Sequence, residues 1–162
     1  MGTAQIEPIS WELVAAQLSK DEFVRRFPSW FFITSVPLWT PKLTGEPTAD
    51  LTDPRLDGLF RRVFMLPLPG ATMVVGRDEE AGLVIYDRTI SRRHGEIIND
   101  GRTIAVRDLG SKHGTRIDGR RAGPEAIGIQ PGVVVSFAHY DFRVVTSEEI
   151  WHLVHGDPAR RI

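Results

Sequence analysis

This sequence predicts a mainly β fold: a β-sandwich of short strands with a short helical segment before it and a short helix after it. Two observations lead there. From Phe60 onward, short apolar and β-branched runs alternate with clusters of Gly, Pro, Asn and Asp, the texture of an all-β domain. Before that point the pattern is different, with helical periodicity first and then a stretch, residues 40–58, that holds three prolines, two glycines and little apolar content. The division expected is an N-terminal helical and aromatic extension over 1–39, a linker over 40–59, the β domain over 60–146, and a closing helix and tail over 147–162.

The elements follow in order. Ser10 precedes WELVAAQL, where Trp11, Val14, Ala15 and Leu18 take the i, i+3, i+4, i+7 spacing of an amphipathic helix. Ser19 opens SKDE, a capping-box pattern with Glu22, and FVRRF runs on until Pro28 stops it. One kinked helix or two short ones are therefore expected over 10–27. SWFFITSVPLW then reads as an extended segment ending near Pro37. Strands are expected at RVFMLPL (62–68), ATMVVG (71–76), LVIYD (83–87), HGEIIND (94–100), TIAVRDL (103–109) and TRID (115–118). Gly119 turns a tight hairpin into RRAG, and GVVVSFA (132–138) and YDFRVVT (140–146) follow. Further turns are read at Pro69-Gly70 and at Asn99-Asp100-Gly101. SEEIWHLV closes the domain as a short helix capped by Ser147. About ten short strands at this spacing favour a sandwich over a barrel.

The chain has 162 residues and 41% hydrophobic content, enough for one domain with a real core. It contains no cysteine, which excludes a disulfide framework and any cysteine-based zinc site. No apolar run is long enough to span a bilayer and the first residues lack the pattern of a signal peptide, so the chain reads as soluble and cytoplasmic. The net charge of −1 hides an asymmetry. Residues 60–121 carry 12 basic and 8 acidic side chains, whereas acidic groups exceed basic ones on both sides of that segment. An excess of this size fits a focused anion site and argues against a nucleic-acid groove.

That site is expected in three turns: Gly76-Arg77-Asp78, Ser91 to His94, and Asp108 to Thr115. A phosphate monoester carries up to two negative charges and three strong acceptor oxygens. Arginine offers it a rigid fork, lysine a compact charge, serine a rotating hydroxyl, and glycine a close backbone approach. Arg77, Ser91, Arg92 and Lys112 supply that set if the turns gather at one end of a sheet.

The ordered combination of Gly-Arg after a strand, Ser-x-x-His at the next strand's start and Gly-Thr after a further turn resembles the forkhead-associated (FHA) domain. GRDEEAGLVIYDRTISRRHGEI and VRDLGSKHGTRIDGRRA are similar to its two signature blocks, and the resemblance covers about residues 60–146. It implies a bacterial-type phosphothreonine-binding β-sandwich of about eleven strands with an N-terminal extension. It further implies that Arg77, Ser91 and Arg92 contact the phosphate, with Lys112 assisting. His94 would brace the loops without touching ligand, and Gly76 and Gly114 would be architectural. His113 stands where the family usually has the asparagine that bonds the peptide backbone.

Catalysis is not expected, and neither is a cofactor. The chain has no phosphate-binding G-x-x-x-x-G-K-[ST] loop, no G-x-S-x-G elbow and no H-E-x-x-H pair. Ser91 and His94 are neighbours in sequence, but nucleophile and base are defined by geometry. His152 and His155 share a helix face without a third metal ligand in sight. The implied partner is a phosphothreonine protein or peptide made by a Ser/Thr kinase. The chain's own linker, with Thr40, Thr44, Thr48 and Thr52, is a second source once phosphorylated. The competing reading is a phospho-independent interaction or oligomerisation module. It would use the N-terminal aromatic segment, where three of four tryptophans and four of eight phenylalanines lie.

Overall fold

The computed structural model describes residues 17–27, 30–34, 64–68 and 72–155. The first helix expected from Ser10, the linker with its threonines, and the turn at Pro69-Gly70 lie outside the described residues.

Eleven strands are described, as a short-strand sandwich requires. They are β1 (Trp30–Thr34), β2 (Phe64–Leu68), β3 (Thr72–Gly76), β4 (Leu83–Val84), β5 (Gly95–Asn99), β6 (Ile104–Asp108), β7 (Thr115–Ile117), β8 (Arg120–Arg121), β9 (Ile127–Ile129), β10 (Val134–Phe137) and β11 (Tyr140–Thr146). One sheet has the order β2-β1-β11-β10-β7-β8 and the other β4-β3-β5-β6-β9. Their inner faces enclose a single apolar cluster, with Phe32, Val75, Ile90, Ile104, Val106, Val135, Phe137, Phe142 and Val144 fully buried. β2 and β3, consecutive in the chain, belong to different sheets.

Residues 30–34 correct the expected domain boundary. They form no part of a separate extension: β1 pairs antiparallel with β11 on one side and with β2 on the other. The aromatic density follows from that position, since Phe31 and Phe32 are fully buried and Trp30 nearly so. Phe23 is buried too, so these four aromatic side chains form interior surface and offer nothing to a partner.

Phe23 belongs to α1 (Lys20–Arg26), whose capping box is formed as the sequence predicts. Ser19 Oγ accepts the Glu22 N–H at 3.4 Å and Glu22 Oε2 accepts the Ser19 N–H at 3.1 Å. The helix rests beside α2 (Ser147–Val154), where Lys20 Nζ meets Glu148 at 3.2 Å and Trp151 Nε1 donates to the Leu18 carbonyl at 3.1 Å. Ser147 does not cap α2. Thr146 Oγ1 accepts the Glu149 N–H at 3.2 Å and Glu149 Oε2 accepts the Thr146 N–H at 2.7 Å. A capping box needs its acid three residues on, and three residues after Ser147 is Ile150.

Two other differences have local causes. LVIYD gives only a two-residue strand, because the Asp87 N–H turns back to the Ile85 carbonyl at 2.9 Å. β9 was not expected, because it is only Ile127-Gly128-Ile129, too short to show a period; it pairs with β6.

The pairing registers bring the loops together. Gly95 lies opposite both Val75 and Asp108, while Phe137 lies opposite both Thr115 and Tyr140. The segments after β3 and β6 therefore emerge at one end of the sandwich, beside the β10–β11 hairpin.

Candidate functional site

The three turns meet through their backbones. The Arg77 N–H donates to the Ser91 carbonyl at 3.1 Å and the Asp78 N–H to the Arg92 carbonyl at 3.3 Å, joining the first loop to the second. Ser91 Oγ accepts the Lys112 N–H at 3.0 Å, joining the second to the third. Gly76 is needed at the first seam. A Cβ there would run into the carbonyl oxygen of Arg92, so any larger residue would push the first two loops apart.

His94 is fully buried beneath this junction. Its Nδ1 accepts the Ser91 N–H at 3.1 Å and its Nε2 lies 3.0 Å from the Gly114 carbonyl oxygen. An N–H donor on one side and a carbonyl acceptor on the other define a neutral ring protonated at Nε2. Burial pushes its pKa below the ordinary histidine value, outweighing the pull of the Gly114 carbonyl and of Asp108 toward the cation. Both ring nitrogens are engaged, and neither is positioned to take a proton from the Ser91 hydroxyl. A serine–histidine nucleophile is therefore not formed.

Asp108 organises the third loop, a role the sequence reading did not assign to it. Its Oδ2 accepts the N–H groups of Gly110 and Ser111, both at 2.9 Å. Its Oδ1 accepts the hydroxyls of Ser111 at 2.6 Å and Thr115 at 2.8 Å. Ser111 Oγ in turn accepts the Gly114 N–H at 2.9 Å. Burial raises the carboxyl pKa, but these donors together outweigh it and the net shift is downward. The signal was present in D-L-G-S, an aspartate whose side chain can take the N–H groups two and three residues on. Gly114 follows at φ +82°, in the region that favours glycine.

A second network fixes the loop before Ser91. Asp87 accepts the Thr89 hydroxyl at 2.5 Å, the Thr89 N–H at 2.7 Å and the Tyr140 hydroxyl at 2.9 Å. These bonds hold Asp87 down to about 2. Burial, followed by the bond to Asp87, pushes Tyr140 up to about 12.

The loops so fixed present Arg77, Arg92, Lys112 and His113 on the exposed surface, with Ser91 half-buried among them. Arg77, Arg92 and Lys112 have no carboxylate partner among the described residues. Ser91 Oγ accepts one hydrogen bond and keeps its own proton to donate. The arrangement offers cations and a hydroxyl to an anion. His152 and His155 do not converge: His152 Nε2 faces Glu148 at 3.7 Å, while the His155 ring stacks on Trp151 with centroids 3.8 Å apart. Among the described residues no three His, Asp or Glu side chains form a metal-binding group, and no helix is long and apolar enough to cross a membrane.

Residues 73–138 match the family model of the FHA domain. No curated protein matches the chain. Among solved structures, the FHA domain of the CT664 protein from Chlamydia trachomatis is similar at 25% identity and TM-score 0.51, covering 72% of this chain and 97% of that one. The FHA domain of an Arabidopsis thaliana hypothetical protein is similar in fold at 24% identity and TM-score 0.50, covering 74% and 86%. The yeast Dun1 FHA domain, solved in complex with a doubly phosphorylated peptide, is similar in fold at 16% identity and TM-score 0.50, covering 76% and 78%. The two sheets of short strands, with loops gathered at one end, have the fold of the FHA domain, whose family model covers residues 73–138 of this chain.

Proposed function

We infer that this chain is a phosphothreonine-dependent protein interaction module and not an enzyme. The observation that carries the reading is the seam at Ser91. Its hydroxyl and carbonyl accept the backbone N–H groups of Lys112 and Arg77, so three loops bearing exposed, unpaired cations are held around one hydroxyl. Donors fixed before a ligand arrives cost little to order on binding. Arg77, Ser91 and Arg92 contact the phosphate, Lys112 adds charge, and His113 bonds the peptide main chain. The Dun1 domain, bound to a phosphorylated peptide, supports a ligand of this kind.

The partner is a protein phosphorylated on threonine by a Ser/Thr kinase. The chain's own linker is a second source. Thr34 and Phe64, which bound residues 35–63, are Cα partners in the sheet. β1 runs antiparallel to β11 and ends near the level where β11 begins, so Thr34 and Phe64 both lie toward the end of the sandwich that holds the recognition loops. Phosphorylation of Thr44 or Thr48 by a kinase is expected to lower affinity for an added phosphopeptide.

A phosphothreonine peptide library screened against the whole chain tests the central reading. The best peptide is expected to bind only when phosphorylated, and Arg77→Ala to weaken it about a hundredfold, as loss of a charge-assisted contact to phosphate implies. Equal binding of phosphorylated and unphosphorylated peptide would overturn it in favour of a phospho-independent module.

A further inference from the structure

β8 is the edge strand of its sheet, and its register against β7 puts Arg121 opposite Arg116. Thr115 is buried and Ile117 packs on the core, so by alternation Arg116 and Arg121 share the outer face. Like charges directly opposite on neighbouring strands repel. Neither guanidinium has a carboxylate partner among the described residues; Arg116 Nη1 donates only to the Ala138 carbonyl, at 3.2 Å. Asp118, in the hairpin turn, accepts the Val134 N–H at 2.9 Å. Asp141 lies two strands from Arg116, beyond Ser136, which is about 10 Å at the usual strand spacing.

Charged side chains often guard an open sheet edge, and Arg120 serves that purpose here. Edge protection does not account for Arg121. Its Cζ and Nε lie 3.3 Å from where a Cβ on Gly114 would sit, so the guanidinium covers the last residue of the loop that carries Lys112 and His113. The bare Cα of Gly114 leaves room for it. Lys112, Arg121 and Arg116 thus form a cationic strip running from the recognition loop onto the sheet face, with no carboxylate partner among the described residues.

We propose that Arg121 and Arg116 form a second anion subsite that takes a further acidic group of the same phosphopeptide. The proposal rests on the phosphothreonine reading above. An arginine fork accepts a carboxylate or a second phosphate with the same geometry, and the experiment separates the two.

Three sets of peptides sharing one phosphothreonine core are titrated into the whole chain: neutral flanks, Asp or Glu scanned along both flanks, and a second phosphothreonine scanned in the same way. Wild type is expected to bind the best acidic or doubly phosphorylated peptide about five- to tenfold more tightly than the neutral one, the gain of one or two solvent-accessible ion pairs. Arg121→Gln is expected to abolish that preference while leaving affinity for the neutral peptide and the melting temperature unchanged, and Arg121→Lys to restore part of it. Arg77→Ala weakens all three sets. If wild type binds the neutral peptide as tightly as every acidic one, or Arg121→Gln weakens all peptides equally, the second subsite is refuted and the phosphate site stands. If wild type binds no phosphopeptide, the phosphothreonine reading falls and the subsite falls with it.

Discussion

His94 Nε2 donates to the Gly114 carbonyl across 3.0 Å, linking two loops that are 20 residues apart in the chain. The other ring nitrogen holds the Ser91 N–H. One buried imidazole therefore sets the spacing between the loop that carries the hydroxyl and the loop that carries Lys112. Its pKa is lowered in the folded chain, so the folded state resists protonation. That stabilisation is fully present above the ordinary value of 6.5 and is lost as pH falls through the folded pKa. A second proton, on Nδ1, would face the Ser91 N–H. Urea titrations at pH 7.5 and pH 5 should show wild type losing more stability than His94→Gln over that interval. At pH 7.5 the variant should be about 2–3 kcal/mol less stable, since it leaves a buried donor or acceptor unmade. An equal pH response in the two proteins would rule out His94 as the titrating group.

Gly76 allows the first two loops to touch. A methyl group at this position would meet the Arg92 carbonyl oxygen, which is backbone and has no rotamer to escape into. Gly76→Ala should therefore destabilise by about 2 kcal/mol or more and weaken phosphopeptide binding, because relief of the clash moves Ser91 away from Arg77. Gly123, where a Cβ meets nothing, is the control. Gly123→Ala should leave both the melting temperature and the affinity near wild type.

Asp108 accepts four hydrogen bonds within the third loop. Its pKa is lowered despite burial, so its contribution is present above the ordinary 3.8 and lost as pH falls through the folded value. Asp108→Asn replaces one acceptor oxygen with a donor amide that faces other donors. It should cost about 2–4 kcal/mol, and its acid-unfolding curve should be flatter than that of wild type below pH 4. Phosphopeptide affinity should fall as well, since Lys112 and His113 lie between residues that Asp108 holds.

The residues proposed to contact phosphate stood out in the sequence because their types are chemically distinctive and the turns that carry them are marked by glycine. The frame beneath them was legible only in part. His94, Gly76 and Gly114 stand in a recognisable order, but Ser111 and Thr115 read as ordinary turn polarity until the strand registers bring them to Asp108. Arg121 belongs to the same class: its relation to Gly114 depends on β8 pairing with β7, which no local pattern encodes. Strand limits followed hydrophobic runs, and failed where a short segment such as Ile127–Ile129 has no room for a period.

The largest difference concerns the N-terminal strand. A proline-rich stretch separates WFFIT from the rest of the β domain, and loss of apolar content along a chain is ordinarily a domain boundary. Sheet position overrides that signal here, because β1 fills the place between β2 and β11 and its Phe31 and Phe32 are fully buried. Removing residues 1–58 would uncover the hydrogen-bonding edge of β11, leave β2 without a described partner and open the core beside Phe142, whose ring is 5.2 Å from that of Phe32. Each buried phenylalanine contributes about 1.5–3 kcal/mol, and an exposed apolar edge strand invites association. The truncated chain should therefore aggregate or lack a cooperative thermal transition by circular dichroism. Adding a synthetic peptide of residues 17–39 during refolding should restore soluble protein. If the truncated chain instead forms a soluble monomer with a melting temperature near wild type, β1 is dispensable and the boundary at residue 60 is the correct one.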